Sequence, residues 1–175
     1  MYKFFILILL KLSIAHQAQK YEQLIRYADF HQKSIKTFTD FIGIAPTISE
    51  KGSGIHQLVF EFESHSIGVE GKVGNSGNIH EIYVFQTGFQ NGHHYFTDIF
   101  LNLQKENSLQ FVKGIFDDGL IKENNLALHE FQSLTKNFRQ NERTNYAVRY
   151  RKGKTFITAA VLRNKLVFTI DDKNH

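Results

Sequence analysis

Three alternating runs in the last part of the chain restrict the fold more than any other feature. Tyr146, Val148 and Tyr150 form the first, Phe156 to Leu162 the second, and Leu166, Phe168 and Ile170 the third. Lys152-Gly153 and Arg163-Asn164 stand between them as turn signals. Alternation of apolar and polar residues puts one face of a strand in a core and the other outside it. Connections this short join only antiparallel neighbours. The chain therefore has to build an antiparallel sheet with one covered face.

The same alternation occurs earlier. Leu58, Phe60 and Phe62, then Ile67, Val69 and Val73, then Ile82 and Val84 opposite Tyr83 and Phe85 predict three more strands. His65-Ser66 and Gly74 to Asn78 are the expected connections. Helical spacing predicts the cover. From Tyr21, apolar residues recur at Leu24, Ala28, Ile35, Phe38 and Ile42, with His31 on the same stripe, and Gly43 ends the pattern. Pro46 and the run to Gly54 read as a loop. Phe96, Ile99, Phe100 and Leu103 predict a second helix, and Leu109 to Phe116 a further strand closed by Asp117-Asp118-Gly119. Ala127, Phe131, Leu134 and Phe138 predict a third helix, with Asn124 or Asn125 as its cap.

The predicted class is α+β in the order α-βββ-α-β-α-βββ, a mostly antiparallel sheet of about seven strands with about three helices packed on one face. The α-βββ pattern appears near both ends, without a repeat at the level of residues. With 42% hydrophobic and 22% charged residues and one proline, the composition suits a single globular domain rather than a disordered chain.

Residues 1–18 read as a cleavable signal peptide and 19–175 as the domain. Lys3 precedes the apolar run Phe4 to Leu10, and Ser13, Ala15 and Ala18 supply small residues for cleavage after Ala15 or Ala18. That run is too short for a membrane span, which takes about 20 residues. The expected location is the periplasm or the exterior. A bacterial source fits the absence of cysteine, which leaves no site for a lipid anchor or disulfide, and the absence of an Asn-x-Ser/Thr acceptor.

Charge is segregated along the chain. Residues 61–130 hold ten acidic and four basic side chains, whereas residues 136–165 hold nine basic and one acidic. Arg149, Arg151, Lys152 and Lys154 crowd one hairpin, and Arg163 and Lys165 flank the next turn. Alternation puts Arg149 and Arg151 on the face opposite Tyr146, Val148 and Tyr150. Such a cluster fits an acidic protein, a polyanion or an anionic lipid surface. Equally, cations at edges and turns prevent sheet-edge association or pair with the acidic half.

Other chemistry has less support. His94 and Asp98 share a helix face at metal-ligand spacing, but no third ligand accompanies them, and no zinc signature occurs. His31 reads as a core histidine. Asp117-Asp118-Gly119 reads as a turn rather than an acid pair. No Gly-x-Ser-x-Gly elbow or phosphate-cradling glycine loop is present, so neither a cofactor, a nucleotide nor nucleic acid is predicted. Glu61, Glu63 and Glu70 lie on the polar side of the first strands, and with His80 they would line a pocket if the sheet curves around one.

The reading is thus an exported, noncatalytic binding module with a basic C-terminal hairpin. The alternatives are a small periplasmic enzyme or ligand carrier using Glu61, Glu63, His80 or His94, and a secreted inhibitor or chaperone-like protein marked by an exposed apolar patch.

Overall fold

The computed structural model describes residues 25–50, 55–62, 65–72, 77–86, 92–136, 144–162 and 165–173. The segment read as a signal peptide lies outside these residues. Within them a 3-10 turn, Ala28–Phe30, precedes α1 (Ile35–Ile42), followed by β1 (Thr47–Glu50), β2 (Ile55–Glu61), β3 (His65–Lys72) and β4 (Ile79–Gln86). Then come α2 (Gly92–Lys105), β5 (Gln110–Asp117), β6 (Lys122–Leu126), α3 (Leu128–Lys136), β7 (Asn145–Lys152), β8 (Thr155–Leu162) and β9 (Lys165–Asp171).

All nine strands form one antiparallel sheet in the order β1-β2-β3-β4-β9-β8-β7-β5-β6. Two meanders, β2-β3-β4 and β7-β8-β9, meet through their last strands, with Ile82 opposite Ile170 and Val84 opposite Phe168. The α+β class and antiparallel sheet agree with the sequence reading; the sheet has nine strands rather than seven. β1 occupies the segment expected to be a loop. β6, Lys-Glu-Asn-Asn-Leu, has no apolar alternation because Lys122 to Asn125 are exposed at the sheet edge. Asn124 and Asn125 are strand residues, so neither caps α3. The Ala127 N–H instead donates to the Glu130 carboxylate at 2.7 Å, the backward bond of a capping box. His65 and Ser66 likewise pair within β3, opposite Gln86 and Phe85.

The helices cover one face. In α1, Phe38 is fully buried against Phe60 of β2, with Tyr27, Phe30 and Phe41 completing an aromatic cluster. Burial of this kind contributes about 1.5–3 kcal/mol per large side chain. It also raises the Tyr27 hydroxyl to a pKa of about 12. Phe96 and Phe100 of α2 meet Phe131 of α3, and Phe96 stands edge-on to Tyr146 of β7. α3 approaches β5 at Gly114, where an added Cβ would lie 2.8 Å from Cγ of Phe131. No helix among the described residues is long and apolar enough to cross a membrane.

The first predicted helix is interrupted. Gln32 has a positive φ of 65°, and Ser34 caps α1 by accepting from the Thr37 N–H at 3.1 Å. The intervening backbone pairs elsewhere: Gln32 donates to Ile79, Ile79 to Lys33 and Ile35 to Gly77, each at 2.9 Å. These bonds satisfy the start of β4 at the expense of a helical turn. His31 is buried here. Its Nε2 donates to the His80 carbonyl at 2.9 Å, and its Nδ1 shares a hydrogen bond of 3.1 Å with the Thr155 hydroxyl. It is a satisfied core histidine. The helix ends as expected at Gly43, φ 76°.

Gly114→Ala is expected to lower unfolding free energy by about 1–3 kcal/mol, because Phe131 must move to admit the methyl group. Urea denaturation reads this directly; an unchanged midpoint would remove Gly114 as the contact that sets the spacing of α3 and β5.

Candidate functional site

The basic hairpin predicted from sequence is the β7–β8 turn. Lys152 pairs with Thr155, so Gly153 and Lys154 are the central residues, one step beyond the Lys152-Gly153 expected. Gly153 has φ 62° while Lys154 remains at negative φ. That pattern belongs to a turn whose twist suits a tight hairpin and whose first position favours glycine. The cations around it have separate fates.

Arg149 is not part of the surface. It is 8% exposed and lies on the sheet face away from the helices, 4.5 Å from the ring centroid of Phe156. Its guanidinium donates to the Asp171 carboxylate at 2.8 Å, to the Thr158 hydroxyl at 2.7 Å and to the Lys173 carbonyl. Asp171 also accepts from the Lys173 N–H at 2.9 Å. Arg149 thereby ties β7 to β8, β9 and the residues that follow. Lys152 is half-buried and bonded to Asp29 at 2.6 Å, which joins the hairpin to the 3-10 turn. Arg151 and Lys154 are exposed. Arg151 donates to the Gln110 side chain at 2.6 Å. Arg163 lies outside the described residues, and Lys165 is placed only by its backbone at the start of β9.

Arg151 borders an open groove of about 290 Å³ whose other walls are Gln110, Phe111, Val112 and Phe156. The ladder builds it. Gln110, Arg151, Phe156 and Asp171 are successive partners across β5, β7, β8 and β9. A register shift between Phe111 and Lys113 makes Val112 an extra residue on β5 and leaves it 40% exposed. Arg151 and Phe156 meet the groove from the face away from the helices, whereas Phe111, opposite Tyr150, belongs to the covered face.

A second polar group occupies the same face of the sheet, and of its members only Glu70 is a candidate from sequence. Tyr83 follows Thr169, Thr158 and Arg149 in one cross-strand row, and Glu70 and Glu81 face each other beside it. Burial, then hydrogen bonds and charge from Glu81 and Glu70, push the Tyr83 hydroxyl well above its ordinary range. It remains a protonated donor near neutral pH. Lys173 Nζ bonds Glu81 at 2.8 Å, and this contact raises the lysine pKa.

The pocket candidates do not converge. Glu61 is exposed opposite Ser66, whereas His80 is exposed on β4 beside Glu70 and Gly71 of β3. The four strand steps from Ser66 to Glu70 alone span about 13 Å. Glu63 lies outside the described residues. Asp98 is half-buried on α2, and His94 is placed only by its helical backbone. No group of three potential metal ligands occurs among the described residues. Asp117-Asp118-Gly119 is the turn expected: Asp118 accepts from the Leu120 and Ile121 N–H groups at 2.9 and 2.8 Å. The Ile121 bond, then the Leu120 bond, lower its pKa. This turn presents Leu120, 95% exposed, at its tip.

No family model and no curated protein matches the chain. Among solved structures it is similar to a cysteine-rich secretory protein from Staphylococcus aureus, at 18% identity and a TM-score of 0.44. The match covers 83% of this chain but 45% of the other, so the chain spans less than half the length of that protein. A likeness of this size carries no argument about function.

The two arginines of β7 should separate in their effect on stability. Arg149→Ala leaves Asp171 buried without its cation and is expected to cost about 3–5 kcal/mol. Arg151→Ala, at an exposed position, should stay within about 0.5 kcal/mol of the parent. Equal denaturation midpoints for the two variants would contradict the buried role of Arg149.

Proposed function

We propose that this protein is an exported, noncatalytic binding module that engages an acidic partner through the β7–β8 hairpin end of its sheet. The observation that carries the reading is the pairing of exposed cations, Arg151 and Lys154, with an adjacent open groove. Summed attraction from neighbouring cations draws an acidic surface, and the groove gives it somewhere to seat. Arg149 contributes rigidity rather than contact, since its charge is already opposed by Asp171. Lys152 has a half share, because an incoming carboxylate competes with Asp29 for it.

The N-terminal pattern of Lys3, an apolar run and small residues supports export. A chain expressed with its native N-terminus is expected to be recovered outside the cytoplasm beginning at His16 or Gln19. N-terminal sequencing of the fractions reads this, and retention of an uncleaved chain in the cytoplasm would overturn the export reading.

The contact surface is tested by retention on immobilised polyglutamate across a salt series. The parent protein should be retained and released as salt screens the attraction. A variant with Arg151, Lys152 and Lys154 replaced by alanine should elute at lower salt. Arg149 stays in place so that the fold is preserved. Equally weak retention of both proteins would reduce the hairpin cations to solvated edge residues.

A further inference from the structure

The groove beside Arg151 adjoins an interrupted sheet edge. β5 is flanked on one side by β7 along its whole length, from Gln110 opposite Arg151 to Asp117 opposite Asn145. On its other side β6 reaches back only to Gly114, which faces Leu126. Beyond Leu126 the chain turns into α3 and leaves the sheet plane. Among the described residues, then, no strand flanks Gln110–Val112 on the side away from β7. These are three of the five residues that line the groove.

The bulge adds to this. An extra residue at Val112 bends β5 where pairing with β6 gives out, and bulges of this kind re-aim a side chain at sheet edges. Here it leaves Val112 exposed between Phe111 and Lys113. The Phe111 ring is itself fixed edge-on to Tyr150, 5.5 Å between centroids, and Phe156 is backed by the Arg149 guanidinium. Phe111 on the covered face and Phe156 on the other are therefore both held before any ligand arrives, which reduces the ordering cost of binding.

We propose that this place is a receptor for an extended acidic peptide segment, which adds a short strand to β5 along Gln110–Val112. Its backbone bonds the free edge, an apolar side chain packs beside Phe111 on the helix-covered face, and a carboxylate on the opposite face reaches Arg151, displacing the Gln110 side chain. Strand addition of this type takes affinity from main-chain bonds and selectivity from alternate side chains. Alternation fits the geometry, because on a strand the residues that flank an inserted side chain point the other way. A peptide, rather than a lipid surface, is favoured because one strand's width of edge lies beside a single exposed guanidinium, Arg151, instead of a broad cationic plane. The inference rests on the hairpin reading above and narrows it to a partner class.

Fluorescence anisotropy with labelled Val-Glu-Val-Glu-Val-Glu supplies the test, beside a Gly-Glu repeat of equal charge and a Val-Glu repeat N-methylated at alternate residues. The Val-Glu peptide is expected to bind at least about tenfold more tightly than either control. Arg151→Ala and, separately, Val112→Lys should each remove most of that advantage, with unchanged denaturation midpoints confirming that both variants fold. If all three peptides bind alike and binding still falls with the Arg151, Lys152 and Lys154 substitutions, the strand-addition proposal is overturned while the hairpin reading stands. If no peptide and no polyglutamate is retained, both fail. Tight Val-Glu binding that survives Arg151→Ala and Val112→Lys would place the contact elsewhere and also overturn the proposal.

Discussion

The ladder between β4 and β9 is the junction on which the rest of the molecule depends. Each meander alone is a small sheet with two exposed edges, and the edges that close here are lined by Ile82, Val84, Phe168 and Ile170, all buried. Joined, the two halves share one continuous apolar face wide enough for α1 to settle over β2 and α2 over β8 and β9. The 31–35 segment follows from the same junction. Its backbone pairs with the start of β4, and His31 reaches from the first half to Thr155 in the second. The interruption of the first helix thus connects the halves a second time.

The opposite face is organised by ionic contacts rather than by apolar burial. Arg149 spans three strands, Lys173 returns to Glu81, and Tyr83 stands beside facing carboxylates. A buried pair of this sort adds little net stability, since desolvation offsets attraction, but it penalises arrangements that leave one charge alone. Its place on the central strands fixes how β7, β8 and β9 align. The segregated charges of the sequence are thereby used in two ways: some cations lock the sheet, and others stay available at its hairpin end.

The legibility of this arrangement differs by element. β7 and β9 could be read because Tyr146, Val148 and Tyr150, and Leu166, Phe168 and Ile170, alternate with polar residues or lie at alternate positions, β8 because Phe156 to Leu162 is almost wholly apolar, and Gly153 permits the turn. The apolar stripe through Ala28, His31 and Ile35 is equally regular, yet it spans a break, because the bonds that end the helix come from Gly77 and Ile79, remote in sequence. β1 and β6 lie at the sheet edges, where little burial is required and so no pattern is written. At the site, Arg151 and Lys154 were recognisable as hairpin cations, whereas Arg149 looked the same until register placed it diagonal to Asp171. The groove had no signal of its own. It arises from a one-residue bulge at Val112, which composition and spacing do not encode.

The β4–β9 junction also has a consequence for how the chain is made. During vectorial synthesis β4 emerges long before its partner, and at about 5–20 residues per second the wait is on the order of 5–15 s. Through that interval the first meander shows an unpaired, apolar edge, the kind of surface that invites association with other nascent chains. Completion of the sheet depends on β9, the last of the nine strands in chain order. A holding factor that keeps the polypeptide extended until synthesis is finished would protect such an order of assembly, and premature release would trap half-sheets.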